Sequence, residues 1–271
     1  MRTLIFAALA GLLPVAAPAA PAIPGGQACQ VAACAVPTPG LADLVTGSKT
    51  DPVPAEGRLT EAQVNRLAGL DTEIRKALQD VNARVAKLPA ASKQAGSPKL
   101  ANQPLAELVE HFFVAATRDC ALLIDVEGES EFRLANAKAL AAKARGEDSW
   151  CALCLAVRRG VEADFTWKAG EFGALTSEQQ LEAEKLASLR NDLRRKWTAA
   201  LKSELNPSQL SLLRGAQMRW LKSTLRSSVA NGMRPLGAAK CDSCSTGLQW
   251  KCEFCSIVLT AVDEAKEKSK S

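Results

Sequence analysis

The same helix-opening phrase is written three times in this chain: Leu59-Thr60-Glu61-Ala62-Gln63, Leu175-Thr176-Ser177-Glu178-Gln179 and Leu205-Asn206-Pro207-Ser208-Gln209. Each sets a short oxygen-bearing side chain at an N-cap and a glutamine three residues on, the reciprocal arrangement of a capping box. Behind the first two starts the text is also similar. Arg66 to Leu78 and Lys185 to Trp197 carry Leu-Ala, Leu and a further apolar residue at matching steps. The chain therefore reads as a duplicated helical unit.

The periodicity that follows each start agrees. After Thr60, apolar residues fall at Leu67, Leu70, Ile74, Leu78, Val81, Val85 and Leu88, in steps of three and four that predict one buried stripe ending before Pro89. Leu59 is placed to pack on Val64 as a hydrophobic staple. A second helix carries Leu105, Leu108, Val109, Phe112, Phe113 and Ala116 toward Cys120, and an Ala-rich helix is predicted from Phe132 to Arg145. In the second unit Leu186, Leu189, Leu193, Trp197, Leu201 and Leu205 form a stripe that Asn206-Pro207 stops. Asn206 then caps the next helix with Pro207 at its first position, where a missing N–H costs nothing. Leu210, Leu213, Gln217, Trp220, Leu221 and Leu225 continue on one face until Asn231-Gly232. Trp197 and Trp220 are expected as core anchors. No alternating run long enough for a sheet is present. The expectation is an all-α fold: duplicated antiparallel helical hairpins forming a bundle, with a small C-terminal Cys-rich module.

Segment by segment, the chain divides into a signal peptide at 1–20, a Pro/Gly/Ala-rich linker or arm at 21–57, a first helical unit at 58–165, a second at 166–235 and a Cys-rich tail at 236–271. Arg2, the apolar run Leu4 to Leu13 and small-residue cleavage text around Ala17-Pro18-Ala19 or Ala20-Pro21-Ala22 have the grammar of an export signal. The apolar run is too short, and too broken by proline, for a membrane span. Val31-Ala32-Ala33-Cys34 matches a lipobox, but Pro21 to Gln27 separate it from the apolar run. The sequence thus predicts a periplasmic or secreted chain, with lipidation at Cys34 the lesser alternative.

Formal charge is +5, and +4 once Arg2 leaves with the signal. Charges of both signs are mixed along the helices, as at Glu184-Lys185 and around Asp192 and Arg194-Arg195-Lys196. Aromatic residues make up 4% and tyrosine is absent, so no base-stacking surface is expected and nucleic acid is excluded as a partner.

Nine cysteines lie at Cys29, Cys34, Cys120, Cys151, Cys154, Cys241, Cys244, Cys252 and Cys255, and in an exported chain all are disulfide candidates. An odd count leaves at least one thiol free, lipidated or paired with another chain. Cys29–Cys34 is a local pairing, and Cys120 is placed to join Cys151 or Cys154. The paired CxxC elements Cys241, Cys244, Cys252 and Cys255 have the spacing of a tetrahedral zinc site, which the oxidising compartment ranks below disulfides. Otherwise no cofactor is expected. His111 is the only histidine, which excludes multi-His metal sites and CxxCH haem attachment. A Cys120–His111 nucleophilic pair is weaker than the reading of His111 as an ordinary helix residue. The acidic run Asp125, Glu127, Glu129 and Glu131 lacks the grammar of a dedicated calcium loop. With no phosphate loop or serine-hydrolase motif either, the chain is expected not to be an enzyme.

Leu70-Asp71-Thr72-Glu73-Ile74, with Leu78 after it, resembles the opening motif of the LprI-like lysozyme-inhibitor family. Leu193 and Trp197 repeat part of that opening, Leu213, Gln217 and Trp220 resemble the family's second motif, and Arg118-Asp119-Cys120 resembles its ending at altered spacing. Thr224 stands where the family carries arginine. The likeness spans about 58–230 and implies a small exported helical domain that binds lysozyme without catalysis. The repeated Leu-Thr-x-x-Gln phrase is also similar to that of periplasmic stress proteins, which implies a chaperone with unfolded envelope proteins as alternative partners, or a metal sensor. A third reading is a metal- or redox-responsive module centred on Cys241, Cys244, Cys252 and Cys255.

Overall fold

In a computed structural model of the chain, the described residues are 34–46, 53–91, 105–124 and 152–230, with single positions at 260 and 267. They form six α-helices and no strand. The helices are α1 (Leu41–Thr46), α2 (Glu61–Val85), α3 (Leu105–Thr117), α4 (Ala152–Glu162), α5 (Ser177–Glu204) and α6 (Pro207–Ala230), with a 3₁₀ turn at Ala55–Gly57. The all-α expectation holds. The 132–145 helix, the acidic run, Trp150 and the Cys-rich tail lie outside the described residues.

All three capping boxes form. Thr60 and Thr176 each accept from the N–H of the glutamine three residues on, and Gln63 and Gln179 return a bond to the cap N–H. At Asn206 the same exchange runs through Gln209, at 2.9 and 3.0 Å. The two similar helices then pack on each other in antiparallel register. Arg66 meets Glu204 and Glu73 meets Lys196, while Asn82 receives Arg190 and Glu182 receives Arg84. Opposed helix dipoles favour this arrangement, and the exposed ion pairs add little beyond register.

This pairing differs from the local hairpins expected. The closest helix pairs are α2 with α5 and α3 with α4, whereas α5 and α6 meet at a corner across Leu205 and Asn206. Their shared core is completed from elsewhere. Leu67, Ile74, Trp197, Leu201 and Leu213 are buried with Val36, Leu41 and Leu44. The last three belong to the stretch read as a linker. Residues 34–46 are instead a packed strap: Ala35 N–H donates to Asp71, and Trp197 Nε1 donates to Thr38 Oγ1 at 2.8 Å. Gly40 turns this strap with φ +82°, and a Cβ there would stand 2.4 Å from Ala216 Cβ. Composition marked the strap as irregular, which it is, but irregular chain is held as firmly as helix when its few apolar residues are buried.

Trp197 is fully buried, as expected of a core anchor, whereas Trp220 is only half-buried. The α3–α4 contact depends on Gly160, whose missing Cβ would lie 2.3 Å from Phe113 Cβ. Thr117 Oγ1 caps it by donating toward Gly160 O at 2.8 Å.

Candidate functional site

The irregular segments are braced by side chains from the helices. Gln217, fully buried on α6, accepts from Leu123 N–H at 2.7 Å and donates to Ala121 C=O at 3.0 Å, so its amide reads the backbone as a neighbouring strand would. On the other side Ala121 N–H donates to Pro37 O at 2.9 Å. The segment after Arg118-Asp119-Cys120 is thus threaded between the strap and α6. Asn191 on α5 does the same for the loop before it, accepting from Phe165 N–H at 2.5 Å and donating to Phe165 O at 3.2 Å. That loop folds Phe165 edge-on to Trp167, with centroids 4.8 Å apart, and Trp167 edge-on to Phe172.

Around this loop gather arginines. Arg118 lies 5.0 Å and Arg190 4.7 Å from the Phe165 ring centre. Both reach Asp119 at 3.6 Å, and both keep a buried Nε without a hydrogen-bond partner. Arg194, with 13% of its side chain exposed, donates to Thr117 O and Ala163 O, the carbonyls at the ends of α3 and α4. A guanidinium at two helix C-termini is well placed electrostatically. Burial nevertheless pushes the pKa of Arg190 and of Arg194 below the ordinary arginine value, with Asp119 and Asp164 acting against it.

Beside Arg194 the ends of α3 and α4 and the last turns of α5 enclose a cleft of about 360 Å³. Arg194, Arg195, Thr198 and Lys202 form one wall, facing Cys120, Leu122, Val161, Glu162 and Asp164. Arg195 grips Asp164 at 2.6 and 2.7 Å, and Glu162 is paired with Arg158 on its own helix. Thr198 and Lys202 have no polar partner among the described residues.

Of the predicted thiols, Cys34 and Cys120 are described, and neither is in a disulfide, so the expected local Cys29–Cys34 pairing is not made. The expected pairing of Cys120 with Cys154 is not made. Val161 and Glu162 line the cleft next to Cys120, whereas Cys154 lies in the first turn of α4, seven or eight residues earlier. That is about 10–12 Å along a helix axis at 1.5 Å per residue, beyond the span of a disulfide. Burial, then Asp119, pushes the Cys120 thiol up to about 12. Burial, then Asp71, raises Cys34 to about 12. Neither is an activated nucleophile, and His111 is exposed on α3. Cys29, Cys151, Cys241, Cys244, Cys252 and Cys255 lie outside the described residues, and of Cys154 only the backbone is described. Among the described residues no group of three or more metal-ligating side chains occurs, and no helix is long and apolar enough to cross a membrane.

Two polar residues far apart in sequence, Asp71 and Gln217, hold adjoining segments. Asp71 holds the strap, Gln217 holds the segment after Cys120, and strap and segment are bonded to each other at Pro37 and Ala121. Sequence reasoning missed Thr38, Asn191 and Arg194. Asn191 and Arg194 lie in a charged stretch whose helical surface pattern gives no sign of a third element packing there. Comparison of the chain with protein-family models, curated proteins and solved structures yields no match.

Proposed function

We propose that the chain is an exported, non-enzymatic binding protein of the cell envelope, with lysozyme the first partner to test. The export signal in its first residues and the LprI-like motifs support this reading. The observation that carries it is the convergence of Asp71, Gln217 and the Arg118-Asp119-Cys120 segment on one junction, although they are far apart in sequence. Residues of a shared scaffold motif are expected to meet in this way, and Asp71 and Gln217 are committed to holding backbone rather than to reacting. The thiols of Cys34 and Cys120 fit the same reading, since burial keeps both protonated.

A chaperone that shields clients on apolar helix faces has less support. Among the described residues Leu181 is the only large hydrophobic side chain left exposed. The test is a panel of lysozymes of different charge, assayed for complex formation and for lost lytic activity with the mature chain. Neither complex nor inhibition across the panel removes lysozyme as the partner. Thiol titration with metal analysis decides the tail separately: four free thiols with one bound zinc establish a zinc module at Cys241, Cys244, Cys252 and Cys255, and no metal with no free tail thiols establishes disulfides.

A further inference from the structure

The cleft between α5 and the ends of α3 and α4 has an uneven charge balance. Arg194, Arg195 and Lys202 stand on one wall of the cavity of about 360 Å³. Opposing them, Glu162 is already committed to Arg158, Asp164 serves both Arg194 and Arg195, and Asp192 also reaches Arg195 at 3.7 Å. Asp119 pairs with Arg118 and Arg190 and also favours the charge of Arg194, so Lys202 is the cation of this wall that no acid serves among the described residues. Arg194 is fixed in advance by two backbone carbonyls, and so binding costs little further ordering there. Lys202 and Thr198, with no partner among the described residues, supply an ammonium and a hydroxyl at neighbouring positions of one helix face.

We infer that this cleft is a docking site for a carboxylate side chain of an acidic peptide segment, received by Lys202 and Thr198. Three features select that chemistry. The cavity is at the small end of ligand pockets, which suits about one or two side chains rather than a broad surface. Leu122 and Val161 flank the polar wall and give an aliphatic stem something to cover. Asp164 remains in the cleft, so a singly charged carboxylate is repelled less than a doubly charged phosphate. The inference rests on the reading of the chain as a non-enzymatic binding protein, but not on lysozyme being its partner.

The test is calorimetric titration of the mature chain with a short glutamate-rich peptide, its glutamine counterpart, acetate and inorganic phosphate. Expected is saturable binding of the glutamate peptide, weakened by salt, with no saturable binding of the glutamine peptide. Lys202→Glu and Thr198→Glu each bring a carboxylate into the cleft and weaken binding by about tenfold or more, as expected when a charge-assisted contact becomes a repulsion. Lys185→Glu makes the same charge change on an exposed position of α5 outside the cleft and leaves affinity within about twofold. Helicity measured by circular dichroism shows which variants remain folded, and two cleft variants guard against the loss of one. Equal binding of both peptides, equal losses in Lys202→Glu and Lys185→Glu, or displacement of the peptide by phosphate below the peptide's own Kd overturns the assignment. Glutamate-peptide binding without any lysozyme complex sinks the lysozyme reading and leaves the cleft standing; the reverse pattern does the opposite.

Discussion

Two glutamines in this chain have the same local task and different surroundings, and exchanging each for alanine separates the two contributions. Gln179 returns a hydrogen bond to the Thr176 N–H at 3.0 Å and stays near solvent. Gln63 makes the matching bond to Thr60 N–H at 2.9 Å. It also donates to Glu204 O at 2.5 Å and to Gln209 Oε1 at 2.9 Å, and accepts from Gln209 Nε2 at 3.2 Å, in a site where Gln63 is 8% and Gln209 1% exposed. The local half of a capping box is worth about 0.5–1 kcal/mol, and Gln179→Ala is expected to cost that much. Gln63→Ala loses the same amount and in addition leaves the Glu204 carbonyl without its donor. It also takes one of two partners from each end of the buried Gln209 amide, which keeps Asn206 N–H and Arg58 O. At about 1–3 kcal/mol for a buried polar group left without a partner, and with Gln209 retaining its bond to Arg58 O, the extra cost is about 1–3 kcal/mol. Urea unfolding followed by circular dichroism measures both. With a slope near 2 kcal/mol per molar, the midpoint of Gln63→Ala falls about 0.5–1.5 M below that of Gln179→Ala. Equal midpoints for the two variants would falsify the claim that the shared phrase is reinforced by tertiary bonding at one copy and not at the other.

Replacing Gln217 by methionine keeps the volume but removes both bonds to the 121–123 segment, and should cost about 2–4 kcal/mol; a loss under about 1 kcal/mol in the same urea assay refutes its role as a backbone brace. Because Cys34 and Cys120 are held at about 12, alkylation of the native chain at pH 8 should label them roughly a thousandfold more slowly than an ordinary exposed thiol, which peptide-resolved mass spectrometry reads; labelling at the ordinary rate contradicts their burial. The same raised pKa values make the stabilisation by the protonated thiols complete below the unfolded value of about 9 and lost as pH rises toward 12. Cys120→Ala should therefore flatten the alkaline fall in stability, and an unchanged slope counts against the assignment. Gly40→Ala combines a positive φ with overlap on Ala216 and should cost about 2–4 kcal/mol, of which Ala216→Gly restores the overlap part alone; full restoration in the double variant shows that the backbone conformation is not strained.

The helices were legible because their signals are short-ranged. A cap and the glutamine three residues on meet within one turn, and the stripes at Leu67, Ile74, Leu186 and Leu201 report burial through periodicity alone. The partner of each stripe was not legible. The repeats pair with each other rather than closing local hairpins, because register between α2 and α5 is written in exposed pairs such as Glu73–Lys196, whose members are 123 residues apart. The strap was read as a linker for a related reason. Val36, Leu41 and Leu44 are too few and too unevenly spaced to show a period, yet all three are buried. For the candidate site, Cys120 and the Arg194-Arg195 pair were visible as residues. Their meeting was not, since it depends on α3 and α4 ending side by side against α5.

An all-α chain with long irregular connections has a particular debt in backbone polar groups that no helix satisfies. Here the helices discharge it with side chains: Asp71 serves Ala35, Asn191 serves Phe165, Gln209 serves Arg58, Gln217 serves Ala121 and Leu123, and Arg194 serves Thr117 and Ala163. This division changes how the polar positions should be read. A buried amide or carboxylate on a helix stripe is committed to the fold, so its substitution moves stability first and binding only through it. A polar group without such a commitment, next to others that are fixed, is where recognition can occur without unfolding the scaffold. By that criterion Gln217 and Asp71 define the frame. The wall of Thr198 and Lys202 beside Arg194 meets the second description: two polar groups with no partner among the described residues, next to a guanidinium fixed by two carbonyls.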